Sequence, residues 1–141
     1  MIVLDTNVLS ELMRPDRSEM VVRWFGAQPI DELRITAVTI AETRYGIERL
    51  PVGRRRTALN DRAEEVLRQF GEQALPFDLG SARRYATIVA DRERAGRPIS
   101  IFDAQIASIC RHHDATLATR NVADFAGTGV VLVDPWSASQ A

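Results

Sequence analysis

The sequence predicts an α/β protein built on a parallel sheet covered by helices on both faces. Three observations carry this expectation. Short apolar runs, Met1–Leu4 and Val130–Val133 among them, lack polar alternation, the pattern of strands buried on both sides. Between such runs lie longer segments whose apolar residues recur at helical spacing. The 141 residues fit one domain, 1–141, and 45% of them are apolar, enough to bury roughly two-thirds of the chain's surface.

In chain order, Met1–Leu4 is the first strand. Thr6 to Arg14 is a helix that ends before Pro15, because proline pushes its predecessor out of the helical region. Ser18 caps a second helix carrying Val21, Val22, Trp24 and Phe25. Leu33–Thr36 is a second strand, and the helix from Val38 to Leu50 is stopped by Pro51. From Arg54 to Phe70, Leu59, Ala63, Val66, Leu67 and Phe70 fall at helical spacing. Leu75–Phe77 reads as a short strand. Ser81–Ala95 reads as a helix with Ala82, Tyr85, Ala86 and Val89 on one face, punctuated by Gly96 and Pro98. Ser100–His113 is the last helix, and Thr116–Ala118 and Val130–Val133 complete the sheet. Strands alternating with helices in this way form parallel sheets, which bind ligands beyond the carboxyl ends of their strands.

Composition narrows the chemistry. Net charge is −1, so overall charge supplies no attraction to nucleic acid. All 18 cationic side chains are arginine; with no lysine present, mechanisms that need one are excluded. Cys110 is the single cysteine, so neither an intrachain disulfide nor a cysteine metal site is expected, and its apolar neighbours predict a buried, inert thiol. Met1–Leu4 is too short for a signal peptide, and no segment approaches the ~20 apolar residues of a membrane span. The expected location is cytoplasmic, away from membranes.

Several polar residues stand where the pattern asks for apolar ones. Asp5 closes the first strand; it also suits a helix cap. Glu42 sits beside the apolar stripe of Val38, Tyr45 and Gly46, and Thr39-x-x-Glu42 also has the form of a capping box. Asp103 shares a helix face with Ile106, Ala107 and Cys110, where a carboxylate is costly unless paired or metal-bound. Ser100-x-x-Asp103 is a second capping-box pattern, and Arg120 is a candidate partner for Asp103. Asn121 and Asp124 follow the Thr116–Ala118 strand, where turn chemistry alone also accounts for them. In a parallel sheet, Asp5 and the Asn121 turn lie at strand carboxyl ends, and Glu42 and Asp103 lie in first helical turns on that side. Three converging carboxylates need protons or a cation, and an all-oxygen set selects a hard ion, Mg²⁺ or Mn²⁺. Such a cluster activates water and neutralises a phosphodiester in its transition state. His112 and His113, at the far end of their helix, read as solvated surface residues.

These residues resemble the PIN-domain family. Met1-Ile-Val-Leu-Asp5-Thr6-Asn7 is similar to the family's opening, and Thr39-Ile-Ala-Glu42-Thr-Arg-Tyr-Gly46 to its second motif. Asp103-Ala-Gln-Ile-Ala107 is similar to the third motif, and Ala118-Thr-Arg-Asn121-Val-Ala-Asp124-Phe to the fourth. The Asp134-Pro135-Trp136 ending resembles that of VapC and FitB-type toxins. The resemblance spans nearly the whole chain, and four motifs in order are specific where each alone is weak. It implies an α/β/α sandwich with a central parallel sheet (PIN-like), and an endoribonuclease toxin of a type II toxin–antitoxin system. It further implies Asp5, Glu42 and Asp103 as metal-site carboxylates, with Thr6 orienting water or a carboxylate. Where many relatives carry aspartate this chain has Asn121, which supplies no charge; Asp124, one helical turn away, is the residue able to compensate. The implied partners are RNA, a VapB-like antitoxin that places an arginine at the acidic site, a second copy of the chain in a homodimer, and operator DNA reached only through the antitoxin.

Arg44, Arg120 and the Gly53-Arg-Arg-Arg56 run are candidate phosphate contacts, though a basic run also suits a solvated face. Ile47, Leu50, Leu59 and Leu67 serve either the core or a docking surface. Two rival functions stand beside the nuclease. A haloacid-dehalogenase-type phosphatase also opens on an apolar strand and an aspartate, but wants a second aspartate where Asn7 stands and a lysine the chain lacks. A catalytically weak PIN-like binding module would keep the fold and partner without the chemistry, a reading the intact set Asp5, Glu42 and Asp103 opposes.

Overall fold

The computed structural model describes residues 1–70 and 73–137. Four parallel strands form the sheet in the order β2-β1-β3-β4: β1 Ile2–Leu4, β2 Leu33–Arg34, β3 Thr116–Ala118 and β4 Val131–Val133. Among the described residues six α-helices flank it: α1 Thr6–Leu12, α2 Glu19–Gly26, α3 Ala37–Glu48, α4 Arg54–Phe70, α5 Leu79–Arg94 and α6 Ile101–His112. This is the α/β/α sandwich expected from the pattern.

Strand alternation explains the two layers. Val3 pairs with Leu117, and both enter a core with Ile88, Ile106, Ile109 and Cys110 from α5 and α6. The next pair, Leu4 and Ala118, points the opposite way into a core with Val8, Leu9, Val21, Trp24 and Phe70 from α1, α2 and α4. Side chains two apart share a face and neighbours do not, so each strand feeds both layers. Met13, Ile47 and Ala63 form a third, small cluster where α1, α3 and α4 meet. Cys110 is fully buried, and that burial pushes its thiol up, out of reach of thiolate chemistry.

Four local expectations are corrected. Leu75–Phe77 is not a strand: Leu75 makes one parallel bridge to Thr36, and Pro76 has no N–H to continue the ladder. The second strand ends at Arg34 because Thr36 turns to cap α3, accepting from the Thr39 backbone N–H at 3.1 Å. The Thr39–Glu42 capping box is therefore absent, and Glu42 lies in the second turn of α3 rather than the first. On α5 the buried residues are Ser81, Ile88 and Arg92, with Tyr85 half-buried, whereas Ala82 and Ala86 are exposed. Ser81 is satisfied by Asp78 and Arg92 by three backbone carbonyls, so polar residues occupy the buried stripe there.

Candidate active site

Parallel pairing sets the site. Leu4 and Ala118 are partners in register, so the residues after them, Asp5 and Thr119, emerge side by side at the carboxyl edge of the sheet. The Asp5 backbone N–H donates to the Ala118 carbonyl at 2.9 Å. Its side chain caps α1: Oδ1 accepts from the Thr6 N–H at 2.8 Å. Oδ2 accepts from the Thr119 hydroxyl at 2.7 Å and from Asn7 Nδ2 at 3.3 Å. The carboxyl group that caps α1 thus also lines the cleft at the sheet edge. Asp5 is 5% exposed. Burial is the main reason its carboxyl is pushed up to about 6; the hydrogen bonds from Thr119 and Thr6 oppose that rise, and Asp103 and Glu42 add to it.

Glu42 is held from the same turn. The Thr6 hydroxyl donates to Glu42 Oε1 at 2.7 Å and lies 3.2 Å from the hydroxyl of Thr39, itself fully buried. Asp103 sits in the first turn of α6, where Ser100 caps the helix by accepting from the Asp103 N–H at 3.2 Å. Ile106, Ala107 and Cys110 on its face are fully buried. Desolvation raises the Asp103 carboxyl above its usual range; the Ser100 hydrogen bond and Arg92 lower it, and Asp124 raises it.

Asp5, Thr6, Glu42, Asp103 and Asn121 all line one open cleft of about 420 Å³. Asp124 is not among the lining residues: its side chain is exposed on the 3-10 turn Val122–Phe125, and its charge reaches the site by raising Asp103. Arg120 does not neutralise Asp103; its guanidinium lies over the Trp136 ring, 5.0 Å from the centroid. Arg44 pairs with Glu64, and Arg56 with Glu48 at 2.7 Å, so both are engaged away from the cleft. Among the described residues, no ion pair joins Asp5, Glu42 or Asp103 to a cation.

From the sequence, no site role is expected of Thr119, Glu11 or Arg14, nor of Asn7, although Asn7 closes the first motif. Asn7 bridges the two strand ends, donating to Asp5 and Thr119 and accepting from the Arg120 N–H at 3.3 Å. Thr119 follows an apolar strand as Asp5 does, and that shared position was the available signal. Glu11 lines the cleft, but its Oε2 accepts from the Ser18 N–H at 2.8 Å, which ties it to the α1–α2 connection.

A family model described as PIN domain matches residues 2–129. The chain belongs to the PIN-domain family. Among its PIN relatives, the VapC ribonuclease Y4jK of Sinorhizobium fredii is 40% identical over 137 residues, 96% of this chain and 98% of that protein. Toxin FitB of Neisseria gonorrhoeae is 36% identical, covering 96% of this chain and 99% of FitB. A crystal structure of FitAcB from the same organism superposes with a TM-score of 0.89 at 36% identity, over 96% of this chain and 99% of that one.

The PIN cleft offers carboxylate, hydroxyl and amide oxygens, with no imidazole or thiolate in its lining. A buried Asp5 that feels the charges of half-buried Glu42 and Asp103, none of the three ion-paired among the described residues, suits a hard dication better than a softer metal.

Proposed function

We propose that this PIN-domain chain is a divalent-metal-dependent endoribonuclease and the toxin of a type II toxin–antitoxin pair. The observation that carries the proposal is the convergence of Asp5, Glu42 and Asp103 on one cleft without an ion-paired cation among the described residues. These three carboxylates would hold Mg²⁺ or Mn²⁺. When bound, such an ion supplies water activation and neutralisation of phosphoryl charge.

The chain's own groups do the positioning. Thr119 and Asn7 fix Asp5, and Thr6 fixes Glu42. Each donor supports the ionised carboxylate and limits its rotation. Arg120 lines the same cleft and would offset part of the repulsion between RNA phosphates and the acidic floor; Arg14 also lines it but is paired with Asp16 at 3.2 Å. Asn121 contributes a neutral polar group where an aspartate would add charge, and Asp124 acts at long range through Asp103.

The relatives support the biological role: one is named a VapC ribonuclease, another a toxin, and a 36% identical structure is of FitAB bound to a DNA fragment. A VapB-like antitoxin would lay a segment along a groove of about 290 Å³ lined by Met13, Thr43, Gly46, Ile47 and Leu59. That groove shares Thr6, Ser10, Arg14 and Glu42 with the cleft, so a docked segment would reach the carboxylates. With a net charge of −1, the chain itself would reach operator DNA only through that partner. We further assign it a single domain, a homodimeric state and a cytoplasmic location; no described helix is long and apolar enough to cross a membrane.

The test is cleavage of RNA by the purified chain. Mg²⁺ or Mn²⁺ should support it, EDTA should abolish it, and re-addition of metal should restore it. Asp103→Asn should lower the rate about 100-fold or more while circular dichroism stays unchanged. Cleavage that persists in EDTA, or a folded Asp103→Asn protein with wild-type rate, overturns the proposal.

A further inference from the structure

At the end of α6 remote from Asp103, a second group of ligating side chains comes together. His112 is nine positions along the helix from Asp103, about 14 Å along the axis. We propose that Asp78, His112 and His113 form a binding site for a transition-metal dication of the Zn²⁺ class, distinct from the carboxylate cleft. One ligand atom from each of the three lies within 4.8 Å of the others. His112 Nε2 is 3.7 Å from Asp78 Oδ2, and the two imidazoles meet edge to face with centroids 5.0 Å apart.

The carboxylate is already oriented. Asp78 caps α5, and its Oδ1 accepts from both the N–H and the hydroxyl of Ser81 at 3.0 Å, leaving Oδ2 on the His112 side. His112 is seated where only glycine leaves room: a Cβ on Gly80 would stand 2.1 Å from its Cε1. His113 is not the solvated residue the sequence suggested. It is half-buried, and its Nε2 is buried with no hydrogen-bond partner among the described residues. An unpartnered buried ring nitrogen is a cost the fold carries unless an ion bonded directly to that nitrogen takes the place of a hydrogen-bond partner. The carboxyl end of α6 adds the negative pole of its helix dipole, which favours a cation.

Donor type sets the class of ion. Two imidazoles and a carboxylate suit Zn²⁺, Co²⁺ or Ni²⁺, with water completing the shell, whereas the all-oxygen cleft suits Mg²⁺. The ion would clamp the start of α5 to the end of α6. None of this rests on the nuclease reading.

The test uses the full chain in excess Mg²⁺, which competes with Co²⁺ for any all-oxygen site, with Co²⁺ as the probe. Nitrogen ligands in a low-coordinate site give a strong visible band, expected at one Co²⁺ per chain and displaced by Zn²⁺. His112→Gln and His113→Gln should each weaken binding about tenfold or more. Gly80→Ala should do likewise, by turning the His112 ring away while deleting no ligand. Asp5→Asn should leave the band intact, and Zn²⁺ should raise the Tm of the wild type but not of His113→Gln. No band in the wild type, or a band and Tm shift unchanged in both histidine variants, would reduce the cluster to a solvated His–Asp pair and overturn the proposal.

Discussion

Replacing Asp5 by asparagine should stabilise the metal-free protein while it disables the cleft. Burial first, and then the charges of Asp103 and Glu42, push the Asp5 carboxyl from 3.8 up to about 6. Between about pH 4 and 6 the folded chain therefore keeps a proton that the unfolded chain has released. Stability falls as pH rises through that window and stays lowered above it. A rise of about two pH units corresponds to about 3 kcal/mol. An amide carries no such penalty, but it must reverse the hydrogen bond from Thr119 and present an N–H near Asn7 Nδ2. That returns about 1 kcal/mol. The net expectation for Asp5→Asn in EDTA at pH 7.5 is a gain of about 2 kcal/mol, or about 6 °C in Tm for a chain of this size. At pH 4 the gain should vanish. Urea titrations of both proteins at the two pH values measure this directly. Added Mg²⁺ should reverse the order at pH 7.5, since an ion at 100 times its Kd stabilises the wild type by about 2.7 kcal/mol and finds a weakened site in the variant. A variant less stable than wild type at pH 7.5 in EDTA, or a gap equal at both pH values, would refute the reasoning.

Two further predictions follow from the segment carrying Asn121 and Asp124. Arg92, 6% exposed, donates to the carbonyls of Arg97, Asp124 and Ala126, so Arg92→Met should cost about 3 kcal/mol in urea titration; a loss below about 1 kcal/mol would mean those carbonyls find other donors. Asn121 lines the cleft and Asp124 does not, so Asn121→Ala should raise the Mg²⁺ concentration needed for half-maximal cleavage more than Asp124→Ala. The reverse order would make Asp124 the fourth charge of the site.

Much of the architecture was legible in the residues because it is local. Helix periodicity and the Ser18 and Ser100 caps depend on neighbours within one or two turns, and the helices they predict are present. On α5 local signals misled because a polar group is satisfied by distant partners. On α5 the exposed Ala82 and Ala86 looked like core, while Arg92, bonded to carbonyls 32 and 34 residues away, took the buried place. Leu75–Phe77 carried strand-like residues, but Pro76 limited the pairing to a single bridge.

Apart from a strand at Leu75–Phe77 that does not form, the sequence by itself determined the order of helices and strands, the sandwich they build, and three carboxylates set at strand ends or against apolar helix faces. Tertiary structure decided the strand order β2-β1-β3-β4, and with it that Thr119, 114 residues away, would donate to Asp5. It also set Asp124 outside the cleft lining, turned Arg120 onto Trp136, and brought Asp78 to His112. The physical reason is one of range. Periodicity and capping are fixed by bonds within a few residues, whereas strand register and helix docking emerge only when both layers are packed at once.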